Sequence, residues 1–164
     1  MAYAENTSVS VEKSKAEIER TLQKYGAAQF ISGWDLSRAM IGFTMAGRQI
    51  RFIVDLPEKD DKRFTHTPGR GTKRSETQAY AEWEKACRQR WRALSLVIKA
   101  KLEAVESGIT CFEDEFMAHI ILPDGQTVGN YMKPQIAAAY ETKKMPKMLP
   151  YLEQPSPRAG REVS

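Results

Sequence analysis

Residues 75–107 carry the pattern of one unbroken amphipathic helix, the feature that most limits how this 164-residue chain can fold. Ser75 and Gln78 have the spacing of a capping box at its start, and Gly108 is suited to end it. At about 1.5 Å per residue the helix is roughly 48 Å long, longer than the core of a small domain requires. One apolar stripe at helical spacing contains Tyr80, Trp83, Cys87, Trp91, Leu94, Ile98, Leu102 and Val105. This stripe predicts that one face of the helix is buried.

Three segments before this helix alternate apolar and polar residues, which is the pattern of half-buried strands. They cover residues 27–34, 38–46 and 48–56, and Ala46-Gly47 suits a tight turn between the last two. Ahead of them, residues 8–12 resemble a short edge strand, and Ser14 with Glu17 indicates the capping box of a first helix. The predicted fold class is α+β, with an antiparallel β-meander packed on a long α-helix and a helix at the N-terminus.

The segment after the long helix predicts a smaller strand-helix unit. A strand from Phe116 to Leu122 is followed by a Pro-Asp-Gly turn and a helix over residues 130–144, with Pro134 in its first turn or at a kink. Four prolines then fall within residues 146–164. We therefore predict one domain over residues 1–145 and an extended, mobile tail over residues 146–164.

Composition narrows the class of protein. Hydrophobic residues make up 41% of the chain, enough for one core, and Cys87 and Cys111 are too few for a zinc site or a disulfide framework. The N-terminus lacks the charged and apolar regions of a secretory signal, and no apolar run approaches the roughly 20 residues that span a bilayer. We expect a cytoplasmic protein without membrane association, metal or cofactor.

Charge is distributed unevenly along the chain. The whole chain has a net charge of +4 and a pI of about 9.1. Residues 62–101 contain eleven Lys or Arg residues and three Glu residues, a net charge of +8, so the remaining residues must carry −4. Such asymmetry favours a polyanionic partner, and a merely solvated basic face is the alternative. The cations that we expect to contact phosphates are Lys62, Arg63, Arg70, Lys73, Arg74, Lys85, Arg88, Arg92 and Lys99.

Residues 57–75 lack periodicity and form a long connection, which is typical of functional or disordered loops. Gly69 and Gly71 leave the backbone open to the close approach of a phosphate. The neighbouring helix N-terminus favours anions through its free N–H groups and its dipole. The spacing of a Walker A loop is absent, so nucleotide hydrolysis is not indicated.

Aromatic residues fall into two groups. Phe64 and Trp34 lie in predicted loops or turns, where a ring can stack on a nucleic-acid base. Tyr80, Trp83 and Trp91 are also of the type that stacks on bases, but they share the apolar stripe of the long helix, so we expect them in the core.

No constellation of residues predicts catalysis. The nucleases of the PD-(D/E)xK class share this order of elements, but they require an Asp and a Glu-x-Lys on adjacent strands, and no predicted strand carries Glu-x-Lys. His66 has no nucleophile or carboxylate at a recognisable spacing, and His119 alternates with apolar strand residues. The acidic clusters at residues 58–61 and 112–115 are the remaining candidates for a shared metal site. We expect a protein that is not an enzyme.

The order of elements over residues 27–107, with basic residues on and before the long helix, resembles the core of phage single-strand annealing recombinases. That resemblance implies a basic groove between meander and helix, and subunits assembled into rings or filaments. The chain as a whole is similar to small, uncharacterised proteins of phages and mobile elements. The predicted function is non-catalytic binding or annealing of single-stranded DNA by a homo-oligomer. The alternatives are a phage-type protein-interaction module that inhibits a host protein, and a metal-dependent nuclease.

Overall fold

The computed structural model describes residues 4, 7–35 and 37–145. The first helix, the three strands and the long helix follow one another as predicted, which confirms the α+β class. They are α1 (Val11–Lys24), β1 (Gln29–Trp34), β2 (Arg38–Met45), β3 (Arg48–Asp55), α2 (Lys62–Thr65), α3 (Glu76–Glu106), α4 (Phe112–Phe116), a 3₁₀ turn (Met117–His119) and α5 (Val128–Thr142). None of the helices in the described residues is both long and apolar enough to cross a membrane.

The strands form one antiparallel sheet in the order β1-β2-β3. Ala46 and Gly47 have φ values of 50° and 71°, and two adjacent left-handed residues are the geometry of a two-residue type I′ hairpin turn. The register places Phe43 of β2 opposite Phe30 of β1 and Ile50 of β3. Because side chains alternate across a sheet, these residues share the face that packs on the helices, and the next residue along each strand lies on the opposite face.

The long helix α3 supplies the largest share of the core. Ser75 and Gln78 form the predicted capping box, and Gly108 follows the helix with a φ of 74°. From the apolar stripe, Trp91, Leu94, Ile98 and Leu102 are buried together with residues of the sheet. α1 packs along α3 and adds Ile18 and Leu22 to the same core.

The start of α1 differs from the prediction. The helix begins at Val11, and the Ser10 hydroxyl caps it by accepting a hydrogen bond from the Lys13 N–H at 3.2 Å. Ser14, the predicted cap, is instead a fully buried residue inside the helix. The predicted strand over residues 8–12 is wrong for the same reason, because its second half forms the first turn of α1.

The predicted strand from Phe116 to Leu122 is also wrong. Phe112 and Phe116, four residues apart, stack on one side of α4 with ring centroids 4.8 Å apart. The chain then makes the 3₁₀ turn, and only Ile120 and Ile121 form isolated bridges, to Ile50 and Thr127. The alternating pattern in this segment therefore reflects two helical turns and a short contact with the edge of β3. The predicted tail, residues 146–164, lies outside the described residues, so its mobility stays a prediction.

Candidate nucleic-acid interface

The loop before α3 is more ordered than its composition indicates. Residues 62–74, called the basic hairpin below, consist of the short helix α2 and a hairpin in which His66 bridges to Lys73. The Thr67 N–H donates to the Thr72 carbonyl at 2.8 Å. Gly69 and Gly71 turn the chain at the tip with φ values of 84° and 62°. The segment therefore holds its cations on a hydrogen-bonded scaffold.

Arg74 is part of that scaffold. Its Nη1 donates hydrogen bonds to the carbonyls of Arg63 and Phe64, both at 3.0 Å, and of His66 at 2.7 Å. These carbonyls lie at the C-terminal end of α2, where helical carbonyls have no partner within the helix. Arg74 was predicted to contact phosphate, and the structure gives its guanidinium a role in folding the hairpin instead.

The remaining cations of the basic hairpin are on its surface. Lys62, Arg63, Arg70 and Lys73 are all exposed. Arg63 forms an ion pair with Asp61 at 2.9 Å, in which both side chains stay accessible to solvent. Beside these residues is an open cleft of about 680 Å³, which Lys62, His66 and Arg74 line from the hairpin and Glu82 lines from α3. Of the predicted cations, Lys62, Arg63 and Arg74 line this cleft, whereas Arg70 and Lys73 lie on the other part of the basic hairpin, and phosphate binding by any of them stays a prediction.

Phe64 does not fit its predicted role. It lies inside α2, only 6% exposed, so its ring cannot stack on a base. Trp34, at the end of β1, is 75% exposed and remains available for stacking. Tyr80 is also accessible, at 47%, and Lys59 lies over its ring at 4.8 Å. The predicted core position of Tyr80 is therefore wrong, because the apolar stripe of α3 extends beyond the part of the helix that the core covers.

The basic stripe predicted along α3 is divided by α1. Arg92 pairs with Glu17 of α1 at 2.5 Å, and these side chains are 23% and 32% exposed. Arg88 is 25% exposed and pairs with Glu84 at 3.4 Å. Because both arginines are largely buried and paired, they are not free phosphate ligands, contrary to the prediction. Lys85 is half-buried and Lys99 is exposed.

His119 and Cys87, two titratable residues outside the basic hairpin, have pKa values that are shifted chiefly by burial in the fold. His119 stacks on Phe52 with centroids 3.9 Å apart, and burial, reinforced by the nearby Lys101, lowers its pKa. Burial likewise raises the pKa of the Cys87 thiol. Among the described residues, no group of three or more His, Cys, Asp or Glu side chains could hold a metal ion. The hairpin cations are therefore the cluster with the clearest capacity to bind a ligand.

Comparison of the chain with protein-family models, with curated proteins and with solved structures finds no match.

Proposed function

We propose that the protein binds single-stranded DNA without catalysis and that the basic hairpin is its phosphate-binding site. The observation that carries this proposal is the set of four exposed cations, Lys62, Arg63, Arg70 and Lys73, on one hydrogen-bonded segment. A scaffold fixed before binding loses less conformational entropy than a loose basic loop when it contacts the ligand. Phosphate contacts are independent of sequence, so the binding is of low sequence specificity.

Two further features favour this partner. The glycines at the hairpin tip leave room for a phosphate beside Arg70, and Trp34 is an exposed ring of the kind that stacks on unpaired bases. The setting that we propose is the bacterial cytoplasm during the replication or recombination of a phage or mobile element. We also propose self-association, because a protein that coats or anneals a strand acts through several copies.

The test is fluorescence anisotropy with a labelled single-stranded oligonucleotide and its duplex, over a series of salt concentrations. Four phosphate contacts on a single strand give a log–log salt slope of about −3. The decisive variant changes Lys62, Arg70 and Lys73 to Ala and keeps Arg74, whose loss would unfold the hairpin. We expect this variant to bind weakly, with a slope near −1.

A matched control changes three exposed cations elsewhere, Lys13, Arg48 and Lys144, to Ala. It removes the same net charge, so it distinguishes phosphate binding at the basic hairpin from a general effect of net charge on affinity. Equal losses of affinity in the two variants, or no binding by the unchanged protein at low salt, would refute the basic hairpin as the phosphate-binding site. A parallel series with Mg²⁺, analysed for cleavage products, tests the nuclease alternative directly.

A protein-interaction module is the second candidate, and α5 is the observation that favours it. Ile136 and Tyr140 on this helix are 47% and 84% exposed, and α5, which is described in full, has no buried residue. Apolar side chains on an uncovered helix are typical of protein contacts. Sedimentation velocity of the unchanged chain and of the Ile136→Asp, Tyr140→Asp variant tests whether a second copy is the partner.

A further inference from the structure

The strand β1 forms an outer edge of the sheet that is open along its side and on both faces. The sheet order β1-β2-β3 leaves one side of β1 unpaired, and the isolated bridges among the described residues lie elsewhere. β1 packs chiefly against β2, whereas β3 also contacts α3. Exposed residues alternate across both of its faces, and they are Gln29, Ile31, Ser32 and Trp34. This edge is therefore accessible to another chain.

The hydrogen bonds between β1 and β2 identify the backbone groups that β1 leaves free. The Asp35 N–H donates to the Arg38 carbonyl at 2.8 Å, so these residues form a hydrogen-bonded pair that continues the strand register. Such pairs alternate with non-hydrogen-bonded pairs along an antiparallel ladder. Counting back from Asp35 in steps of two, every second residue of β1 therefore directs its N–H and C=O toward β2. The residues between them direct these groups to the open edge: Phe30, Ser32 and Trp34.

The sequence of β1 lacks the features that usually protect an open edge. Natural edge strands carry charged side chains, above all Lys, or proline, and these prevent pairing with another strand. The strand Gln29–Trp34 reads QFISGW, with no charged residue and no proline. Two large apolar side chains project from it instead, because Ile31 is 61% exposed and Trp34 is 75% exposed. An uncharged apolar edge of this kind favours pairing with another strand.

Gly33 has no evident role in the folding of a single copy. Its φ is not in the left-handed region that favours glycine, and a Cβ at this position would meet nothing within 4 Å. Glycine inside a strand weakens the strand, and it often marks a place where another backbone approaches closely. Pairing at the open edge of β1 supplies such an approach.

We propose that β1 pairs antiparallel with β1 of a second copy of the chain, so that the two sheets join into one continuous sheet in a two-fold symmetric dimer. The two-fold axis passes beside Ser32, because only this register pairs all the residues that have free backbone groups. Ser32 then pairs with Ser32 of the other copy, and Phe30 pairs with Trp34. Each pair exchanges two bonds, which gives about six backbone hydrogen bonds. The inference rests on the self-association in the proposed function and names the surface responsible.

The same register makes the side chains complementary. Side chains of directly opposed residues lie on one face of a sheet, with Cβ atoms about 5 Å apart. On the face that packs on the helices, Trp34 lies beside Phe30 of the other copy and forms an aromatic pair. On the opposite face, Ile31 lies beside Gly33 of the other copy, where the missing side chain leaves room for it. One pairing therefore accounts for both the exposed Trp34 ring and the glycine.

The exposed area and the charge of the chain indicate a weak dimer. Ile31 and Trp34 expose roughly 300 Å² of apolar side chain per copy. A standard interface buries about 800 Å² per partner, so we expect dissociation at about 1–100 µM. β1 offers no cation to a phosphate, which favours a second copy over DNA at this edge. In the dimer the Trp34 ring belongs to the interface, and the basic hairpin carries the DNA binding.

The experiment is sedimentation velocity of the full chain without nucleic acid, at concentrations up to about 500 µM. Ser32→Pro removes the central N–H of the interface, and proline is tolerated at an edge position whose N–H faces solvent. We expect it to raise the dissociation constant at least about 10-fold. Ser32→Ala keeps the N–H and is the matched control, with a change of less than about 3-fold. Trp34→Lys, which places on β1 a charge of the kind that protects natural edges, should also dissociate the dimer.

Crosslinking tests the register of the pairing. Cys111 is exposed and Cys87 is buried, so the variants carry Cys111→Ser. Ser32→Cys places two thiols across the two-fold axis with Cα atoms about 5.5 Å apart, which suits a disulfide. In the same register the two copies of Gln29 are about 20 Å apart, so Gln29→Cys should not crosslink. A crosslink by Gln29→Cys without one by Ser32→Cys would overturn the proposed pairing.

The outcomes separate this inference from the proposed function. A chain that stays monomeric up to about 500 µM would overturn the dimer and leave DNA binding by the basic hairpin in place. Ser32→Pro that folds and dimerises like the unchanged protein would do the same, and loss of the dimer only in Ile136→Asp, Tyr140→Asp would assign self-association to α5. A dimer that persists while the hairpin variant binds the oligonucleotide as tightly as the unchanged protein would refute the hairpin alone. Circular dichroism melts show which variants fold, and Trp34→Lys with the crosslinks decides if Ser32→Pro does not.

Discussion

At the scale of single residues, α1 contains two serines with opposite roles. The Ser10 hydroxyl caps the helix, whereas the Ser14 hydroxyl is fully buried without a hydrogen-bond partner among the described residues. An unpaired buried hydroxyl costs free energy, and Ala is a better helix former than Ser. We expect Ser14→Ala to raise the free energy of unfolding by about 1 kcal/mol.

The matched control is Ser10→Ala, the same change one turn earlier in the helix. It removes the cap, so it should lower the free energy of unfolding by about 1 kcal/mol. Urea denaturation of the two variants measures both effects. Stabilisation by Ser10→Ala would contradict the assignment of the cap to Ser10, and destabilisation by Ser14→Ala would contradict an unpaired Ser14 hydroxyl.

These serines also show what a local pattern can predict. The sequence contains two capping-box patterns, Ser75 with Gln78 and Ser14 with Glu17. The first is a true capping box, but in the second Ser14 is buried in the helix and Glu17 pairs with Arg92 of α3. The second pattern fails because Ser10 caps α1 one turn earlier and because α1 packs on α3. Neither fact can be seen in a short window of sequence.

Tyr25 links the end of α1 to the end of α3 and gives a pH-dependent contribution to stability. Its hydroxyl donates a hydrogen bond to the Glu103 carboxylate, and this bond, with the nearby charges of Glu103 and Glu106, raises the pKa of Tyr25 from 10.0 to about 12. Because the pKa is higher in the folded protein, the contribution is complete below pH 10 and is lost as the pH rises from 10 to 12.

The measurement compares the free energy of unfolding of the unchanged protein with that of Tyr25→Phe between pH 8 and pH 12. We expect the difference to be constant up to about pH 10 and then to shrink. Tyr140→Phe, on the surface of α5, should show no such change. A difference for Tyr25→Phe that is independent of pH would mean that the hydrogen bond does not form in solution.

At the scale of elements, α5 is attached to the domain through a close contact at Gly129. A Cβ at this position would lie 2.8 Å from the backbone oxygen of Ala118 in the 3₁₀ turn, and backbone cannot move aside as a flexible side chain can. Gly→Ala changes normally stabilise helices by up to about 1 kcal/mol. Here we expect Gly129→Ala to lower the free energy of unfolding by about 1–3 kcal/mol, since overpacking outweighs helix propensity.

The reverse change on the exposed side of the same helix is the control. Ala137→Gly should also destabilise, by about 1 kcal/mol, because there propensity alone acts. Chemical denaturation followed by circular dichroism measures both variants. A stabilising effect of Gly129→Ala would show that α5 does not pack against Ala118 as described.

The contacts between helices also explain which part of the candidate site could be predicted from the sequence. The four exposed cations of the hairpin lie within residues 62–73, so the sequence alone shows that they belong to one segment. Arg88 and Arg92 were placed on an open face because a helical wheel shows one helix at a time. The docking of α1 pairs Arg92 with Glu17, a contact between residues 75 positions apart, and Arg88 pairs with Glu84 of its own helix.

At the scale of the whole molecule, the fold class was predictable, but the groove that two clefts form on the sheet face opposite α1 and α3 was not. Alternation in three segments and one long amphipathic stripe define the meander and its helix, because each is a local pattern of at least six residues. The groove instead combines Gly33, Arg38, Arg51 and Lys133, from β1, β2, β3 and α5. Only the strand register and the position of the C-terminal segment bring these residues together.

The local stability of the fold also differs between α3 and α5. α3 buries residues along most of its length, whereas α5 has no buried residue and contacts chiefly the 3₁₀ turn. Local opening requires the least free energy where few apolar contacts are lost. We expect the amides of α5 to exchange with deuterium through local opening, and those of residues 91–102 of α3 only through global unfolding.

Native-state hydrogen exchange across a range of low denaturant concentrations tests this difference. The α5 amides should exchange roughly 10- to 100-fold faster than those of α3 and should respond little to denaturant, the signature of an opening that exposes little surface. Binding of the single-stranded oligonucleotide should slow exchange in residues 66–73 without slowing exchange in α5. Equal protection of α3 and α5 in the free protein would show that the C-terminal helix is part of the cooperative core, contrary to its lack of buried residues.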